Sequence, residues 1–359
     1  MTNQVNNSDK PINLGIVGLG YIATHTHIPL WLKNKSVHIA AVCDADEAKT
    51  CAASERFHIP RKYYSIDDML SNERFDLIDI CTPPESHEAL ALKVLDSGTN
   101  CMLEKPMTTS VLAADRMINR AKEKKLHIFV THHSSFFPIL QQGKNLVHSG
   151  EIGDLLQVDV KYACPLEKAH QNPNHWAHKL PGGLFGEQAP HACYALVDFL
   201  DDDIMDVKSF LMKKSSYSYL AGDELKVIVS TKSMIGSFSV SFISPQRITV
   251  DLMGSKAWVS IDAESQALVK YPHIEMGVFS KGKRSFSDIS QRGYCLCRAS
   301  FNVVTGRWKP LLIGHEYLFN KAIMTLRNQA TYPVSVEKAR NSVRILEAAF
   351  RQNGLFIEH

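Results

Sequence analysis

The chain has no CxxC pair, no HExxH string and no run of about 18 apolar residues. Its eight cysteines, at positions 43, 51, 81, 101, 164, 193, 295 and 297, are scattered through apolar segments. That spacing excludes a zinc ribbon and a dense disulfide scaffold, and it fits reduced, buried thiols in a cytoplasmic protein. The short apolar runs exclude a helical membrane span. Charge is also short on one-sidedness: 40 Lys and Arg against 37 Asp and Glu give +3. A strongly basic nucleic-acid binder is therefore not expected. The first ten residues, MTNQVNNSDK, lack an apolar signal core and read as a disordered tail. The 359 residues suggest about two domains at ~150 residues each. A chain of that length can bury a core without staples.

The first third alternates short apolar runs with helical patterns. The runs are Ile12–Val17, Val37–Cys43, Phe75–Cys81, Asn100–Leu103 and His127–Thr131; the helices are 46–57, 87–97 and 109–125. Strict alternation predicts a parallel sheet covered by helices on both faces. After residue 132 the period changes. Helices are expected over 137–149 and 187–200, and a strand over Leu155–Cys164. Alternating segments from 204 to 270 predict an antiparallel sheet. Residues 272–310 read as irregular, and two helices close the chain at 314–328 and 335–352. The expected division is a doubly wound α/β domain over 11–135 and an α/β domain over 136–359. The second is built on a large, mostly antiparallel open sheet, and its last helix can fold back on the first. Val227, Val229, Phe238, Val240 and Phe242 mark a sheet face that could join copies of the chain as a homodimer or homotetramer.

The strongest local signal is Gly18-Leu19-Gly20-Tyr21-Ile22-Ala23, a GxGxxA string directly after the first strand. Gly18 permits a tight turn. Gly20 lets a pyrophosphate approach the backbone, and Ala23 is small enough for the helix to pack on the strand. The helix start, at Tyr21 and Ile22, turns its N–H groups toward phosphate. Asp44 ends the next strand, 26 residues after Gly18. A carboxylate there accepts from both ribose hydroxyls of NAD and repels a 2′-phosphate, which favours NAD over NADP.

Two further strings stand at strand ends: Thr82-Pro83-Pro84-Glu85-Ser86-His87 and Glu104-Lys105-Pro106. Ligands in an open parallel sheet lie beyond the carboxyl ends of its strands. Together with the glycine turn, these strings resemble the glucose–fructose oxidoreductase/inositol dehydrogenase (Gfo/Idh/MocA) family. A third match runs from Gly182 through Glu187 to His191. The resemblance covers nearly the whole chain. It implies an NAD(P)-dependent oxidoreductase acting on a sugar, sugar derivative or cyclitol. It places Thr82, Pro83, His87 and Glu104 beside the nicotinamide, and it matches Lys105, Glu187 and His191 to the family's catalytic lysine, acidic residue and histidine. It also suggests a cis bond before Pro106. The sequence departs from the family in three places: Glu187 stands where aspartate is frequent, the next glycine before the histidine is replaced in Ala189-Pro190-His191, and Tyr194 replaces a polar residue three positions after the histidine.

These residue types suit alcohol oxidation. Histidine, with an ordinary pKa of ~6.5, can take a hydroxyl proton near neutrality. A lysine ammonium can donate to the developing alkoxide. Glu187 and His191, four apart at a helix start, project on one side. Trp176, His175 and Lys179 precede the second-domain glycine turn in a segment that borders the sugar site in the family, and His132 and Tyr194 are further substrate-pocket candidates. The bland readings are a surface loop for the first group and core packing for Tyr194. His25 and His27 read as packing or surface residues. No metal site is expected, since the histidine pairs lack a third ligand in a recognisable spacing. Two rival functions share these motifs: tightly bound NAD recycled within one turnover, and a non-catalytic dinucleotide-binding regulator.

Overall fold

In the computed structural model, which describes residues 10–200, 203–273, 278–305 and 310–356, each apolar run of the first third is a parallel strand. The expected tail lies outside the described residues, apart from Lys10. Strands β1 (Ile12–Val17), β2 (Val37–Cys43), β3 (Arg61–Tyr63), β4 (Leu77–Ile80), β5 (Asn100–Leu103) and β6 (Ile128–Val130) form one sheet in the order β3-β2-β1-β4-β5-β6. Every neighbouring pair in it is parallel. The order reverses between β1 and β4, which opens the crevice where such sheets bind ligands.

Helices α1 (Ile28–Lys33), α2 (Glu47–Phe57), α3 (Ile66–Asn72), α4 (His87–Asp96) and α5 (Val111–Lys124) connect the strands. Their ends follow local chemistry. Asp46 caps α2 by accepting from the amides of Ala48 and Lys49. His58 and Lys125 end α2 and α5 in the left-handed conformation. A wide π turn, Ala23–His27, precedes α1 and buries both Ala23 and His27. Strand β3 and helix α3 are additions to the sequence reading. Both are short, and β3 has no buried residue.

The second sheet combines β7 (Leu155–Ala163), β8 (Asp206–Met212), β9 (Glu224–Ser230), β10 (Ile235–Ser241), β11 (Arg247–Gly254), β12 (Ala257–Asp262) and β13 (Ala267–Pro272). Its order is β13-β12-β11-β7-β10-β9-β8. Only the β7–β10 pairing is parallel. Helices α6 (Pro138–His148) and α7 (Leu184–Val197) belong with this sheet. The face carrying Val227, Val229, Phe238, Val240 and Phe242 is the core of this unit, with none of the five more than 3% exposed. The sequence reading offered that face as an interface, and the structure corrects it. The period-two pattern identifies an apolar face, and α7 residues such as Phe185 and Leu196 share its core. The opposite face is polar: Lys226 donates to Asp159 at 2.7 Å, and Lys161 pairs with Asp251 at 3.4 Å.

Helix α8 (Val278–Val304) replaces much of the irregular stretch expected over 272–310. It meets β13 through Gln291, whose side chain accepts from the Lys270 amide and donates to the Lys270 carbonyl. Helices α9 (Pro310–Leu326) and α10 (Val336–Gln352) close the chain, and Ser335 caps α10 through the Lys338 amide. The chain divides into two units. One runs to Thr131 and takes in Gly314–Val343; the other is His132–Ile313 with Arg344–His359. Residues 314–343 thus return to the first unit, which a linear division at 135/136 does not capture. Helix α10 gives Ala339 and Val343 to the first core and Ile345, Leu346, Ala349 and Phe350 to the second. Among the described residues, no helix is long and apolar enough to cross a membrane.

Gly182 illustrates how the second unit sets the start of α7. Its φ is +84°, and a Cβ there would lie 2.5 Å from the Phe350 ring. Gly182→Ala should therefore strain the backbone and overpack the ring, at a cost of about 1–3 kcal/mol. The check is the urea midpoint. An unchanged midpoint would mean that neither the turn nor Phe350 constrains this position.

Candidate active site

The cofactor side begins at the glycine turn. Gly18 has φ +86°, and a Cβ on it would lie 2.8 Å from the Thr82 amide nitrogen, so only glycine lets β1 pass the end of β4 this closely. Gly20 is the opposite case. A Cβ there would meet nothing within 4 Å, which leaves open space in front of the backbone for a phosphate group. Tyr21 is exposed and stacks on His25, with ring centroids 4.2 Å apart. The half-buried Asp44 accepts from the Leu19 amide at 2.7 Å and from the Asp46 amide at 2.9 Å. Each carboxylate oxygen keeps a second acceptor site, so Asp44 can hold the turn and still receive ribose hydroxyls. The turn, the open space and the acidic residue fit a dinucleotide without a 2′-phosphate.

The two strand-end loops are tied together. The fully buried His87 faces the Thr82 carbonyl with Nε2 at 2.8 Å. Its Nδ1 faces the Pro106 and Met107 carbonyls at 3.1 and 3.2 Å. Burial lowers its pKa, so the ring is neutral at pH 7 and donates on one side at a time. His87 thus braces the loops from behind. Thr82 is half-buried and accepts from the Ser86 hydroxyl at 2.7 Å, while Pro83 is exposed. The Lys105–Pro106 peptide is cis. Lys105 is half-buried, and its amide donates to the Glu104 carboxylate at 3.0 Å.

Beneath that loop lies a buried polar network that the sequence reading missed. His27 is wholly enclosed, with Nδ1 2.8 Å from Asp79 Oδ2 and Nε2 3.0 Å from Glu104 Oε1. Trp31 Nε1–H also donates to Asp79 Oδ2, at 2.7 Å, and the Thr131 hydroxyl donates to Glu104 Oε1 at 2.7 Å. His315 stands 3.7 Å from the same Glu104 oxygen. Burial, the largest single influence, would push the His27 pKa down, but the Asp79 carboxylate and the Cys81 sulfur together outweigh it and hold the pKa well above 6.5. Burial would likewise raise Glu104, yet the hydrogen bond from His27 and the nearby His315 ring hold it well below 4.5. A doubly donating imidazolium between two carboxylates accounts for both directions. Glu104 is therefore an internal anchor of the Lys105 amide.

The second unit carries the other candidates. Glu187 lies in the first turn of α7, where the helix dipole favours a carboxylate, and His191 follows one turn later. The His191 ring lies parallel to that of Tyr162, centroids 5.6 Å apart, and edge-on to His133 at 5.4 Å. Tyr162 reaches Gln188 through its hydroxyl at 3.4 Å. Glu187 Oε2 is 3.1 Å from His170 Nε2. Trp176 is 44% exposed, Lys179 is exposed and His175 is half-buried, so these three can meet a ligand. Tyr194 and His132 are placed differently. They are 1% and 2% exposed and stack on each other with centroids 3.5 Å apart. That is core packing, the second of the two readings offered for Tyr194. Among the described residues, three groups of side chains could hold an ion: His27 with Asp79 and Cys81, His27 with Glu104 and His315, and His170 with His175 and Glu187. The first two are occupied by the network just described.

A Rossmann unit with these turn and strand-end features, followed by a seven-stranded mostly antiparallel unit, defines an NAD-binding oxidoreductase. Residues 12–132 match the oxidoreductase family with an NAD-binding Rossmann fold, and residues 140–260 match the GFO/IDH/MocA C-terminal domain. The chain belongs to the Gfo/Idh/MocA family. It is 25% identical over 217 residues to Oxidoreductase P35 of Formosa agariphila, covering 59% of this chain and 67% of that one. It is 28% identical over 166 residues to inositol 2-dehydrogenase of Corynebacterium glutamicum, covering 46% of this chain and 47%, about half, of that enzyme. Its fold is similar to that of the WlbA dehydrogenase from Bordetella pertussis, solved with NADH and UDP-GlcNAcA. The TM-score is 0.78, with 21% identity and 96% of each chain covered.

Proposed function

We propose that this protein interconverts a secondary alcohol and a ketone on a sugar, sugar derivative or polyol, with NAD as the redox partner. The observation that carries the reading is Lys105 at the carboxyl end of β5, on a loop whose backbone is fastened to the buried Glu104 carboxylate. Bound NAD would supply the hydride acceptor for the alcohol carbon. His191 takes the hydroxyl proton as the hydride leaves and returns it in reduction. Lys105 donates to the oxygen as negative charge builds on it. Glu187 orients the acid/base end of α7 or receives a substrate hydroxyl. Trp176 offers a flat apolar face to a sugar ring, and Lys179 and His175 offer polar contacts. The relatives named above support a sugar or polyol substrate: one is an inositol 2-dehydrogenase, and another was solved with UDP-GlcNAcA.

The test is NADH formation from NAD with a panel of cyclitols, free sugars, sugar acids and nucleotide-linked sugars, on protein first checked for carried-over cofactor. Turnover of any panel member that disappears in Lys105→Met supports the reading. Turnover that Lys105→Met leaves intact removes lysine from the chemistry. NAD that stays bound and is never released as NADH would favour recycling within a turnover.

Cofactor choice is tested separately. Asp44→Ala should weaken NADH binding by about 10- to 100-fold through lost hydrogen bonds to a charged acceptor, and it should narrow the gap to NADPH. Nicotinamide fluorescence titration measures both. An unchanged NADH/NADPH ratio would show that Asp44 only braces the glycine turn.

A further inference from the structure

His170, His175 and Glu187 come from a proline-flanked loop and the first turn of α7, and one ligand atom from each lies within 4.8 Å of the others. We propose that these three side chains form a binding site for a divalent transition ion of the zinc class. His170 Nε2 and Glu187 Oε2 are 3.1 Å apart, and the two imidazole centroids are 5.1 Å apart with the rings at 89°. Ligand bonds of ~2.0–2.1 Å at a tetrahedral angle put neighbouring ligand atoms ~3.4 Å apart and imidazole centroids ~5.2 Å apart. Both observed spacings lie within a few tenths of an ångström of those values. A mixed nitrogen and oxygen donor set suits zinc, cobalt or manganese better than calcium or magnesium.

The surroundings support the site. His170 and Glu187 have side chains only 10% and 18% exposed, so an ion there would be largely withdrawn from water. His178 faces the His170 carbonyl with Nε2 at 2.9 Å and pins the loop that carries the first ligand. The Ala177 amide approaches His175 Nδ1 at 3.4 Å, a long contact that a small ring rotation gives up. Three protein ligands leave coordination positions open, the pattern of a reactive rather than a structural site. A substrate hydroxyl or carboxylate oxygen could take an open position, and the ion would lower the pKa of a bound hydroxyl. That last step rests on the reading of His191, one turn along the same helix; the ion site does not.

The experiment is a Co2+ titration of the full chain after treatment with EDTA and removal of the chelator, read by visible absorption. One equivalent of saturable absorption, displaced by Zn2+, is expected. His170→Ala and His175→Ala should each weaken Co2+ binding about tenfold or more, with NADH binding by fluorescence retained. A variant that loses NADH binding is replaced by His175→Gln, which keeps side-chain bulk. Wild-type protein without a stoichiometric cobalt spectrum overturns the proposal, as does wild-type binding in the histidine variants. Cobalt binding without alcohol turnover would leave the ion site standing and sink the alcohol-oxidation reading. Turnover without cobalt binding would do the reverse.

Discussion

Alanine at position 191 is expected to lower kcat by about 10²- to 10⁴-fold, the usual loss for a positioned general acid/base, on whichever substrate the wild-type protein oxidises. NADH affinity should stay within twofold or so, because the glycine turn and Asp44 lie in the other unit. The remaining activity should rise with pH, as hydroxide replaces the missing base. Tyr162→Phe is the companion variant. It removes the hydroxyl that reaches Gln188 and keeps the ring beside His191. A loss confined to His191→Ala identifies the imidazole as the proton carrier. Equal losses in both variants would mean that the Tyr162 hydroxyl, through Gln188, is needed as much as the imidazole, and His191 alone would not be the proton carrier. Near-normal turnover in His191→Ala across the pH range would falsify the assignment.

The legible parts of this protein are those whose cause is local. The glycine turn could be read because Gly18 needs a positive φ and a bare Cα, and both demands act within a few residues. Strands β1, β2 and β5 could be read to the residue because each is an apolar run in a buried parallel sheet. Strand β3 could not: Arg61-Lys62-Tyr63 pairs on one side with β2 and buries nothing. Helix α7 begins at Leu184, three residues before the expected start, since Gly183 already stands at the cap position. Helix α8 was hidden by Gly293, by its serines and by exposed apolar residues such as Phe286 and Ile289, at 76% and 70%.

The candidate site was legible only where a motif carried it. Lys105, Glu187 and His191 stand in recognisable strings. His27 does not. Its partners Asp79 and Glu104 lie 52 and 77 residues away, and no spacing rule joins them. The π turn that buries it next to Ala23 is equally silent in a string of Thr and His residues. A histidine after a glycine turn looks like a surface residue until the strands that face it are known. The same holds for His170 and Glu187, 17 positions apart in sequence and 3.1 Å apart in space.

The His27 network leads to the second large effect, which is on stability. Asp79→Ala is expected to cost about 3–5 kcal/mol, the penalty for stranding one member of a buried ion pair. The loss is large because one oxygen, Oδ2, serves both His27 Nδ1 and Trp31 Nε1, and all three side chains are fully buried. The effect should depend on pH with a definite sign. The His27 pKa is raised in the folded protein, so its contribution is complete below the ordinary 6.5 and fades as pH climbs through the raised value. The Glu104 pKa is depressed, so its contribution is complete above the ordinary 4.5 and fades as pH falls through the lowered value. Both are present in full between those limits. The stability gap between wild type and Asp79→Ala should therefore be widest between pH 4.5 and 6.5 and shrink as pH climbs through the raised His27 value and the imidazolium loses its proton. Urea denaturation at a series of pH values measures it. A gap of constant size over that range would mean that the network stabilises through packing and neutral hydrogen bonds. The charge on His27 would then have no part in holding Glu104, or the loop that carries Lys105, in place.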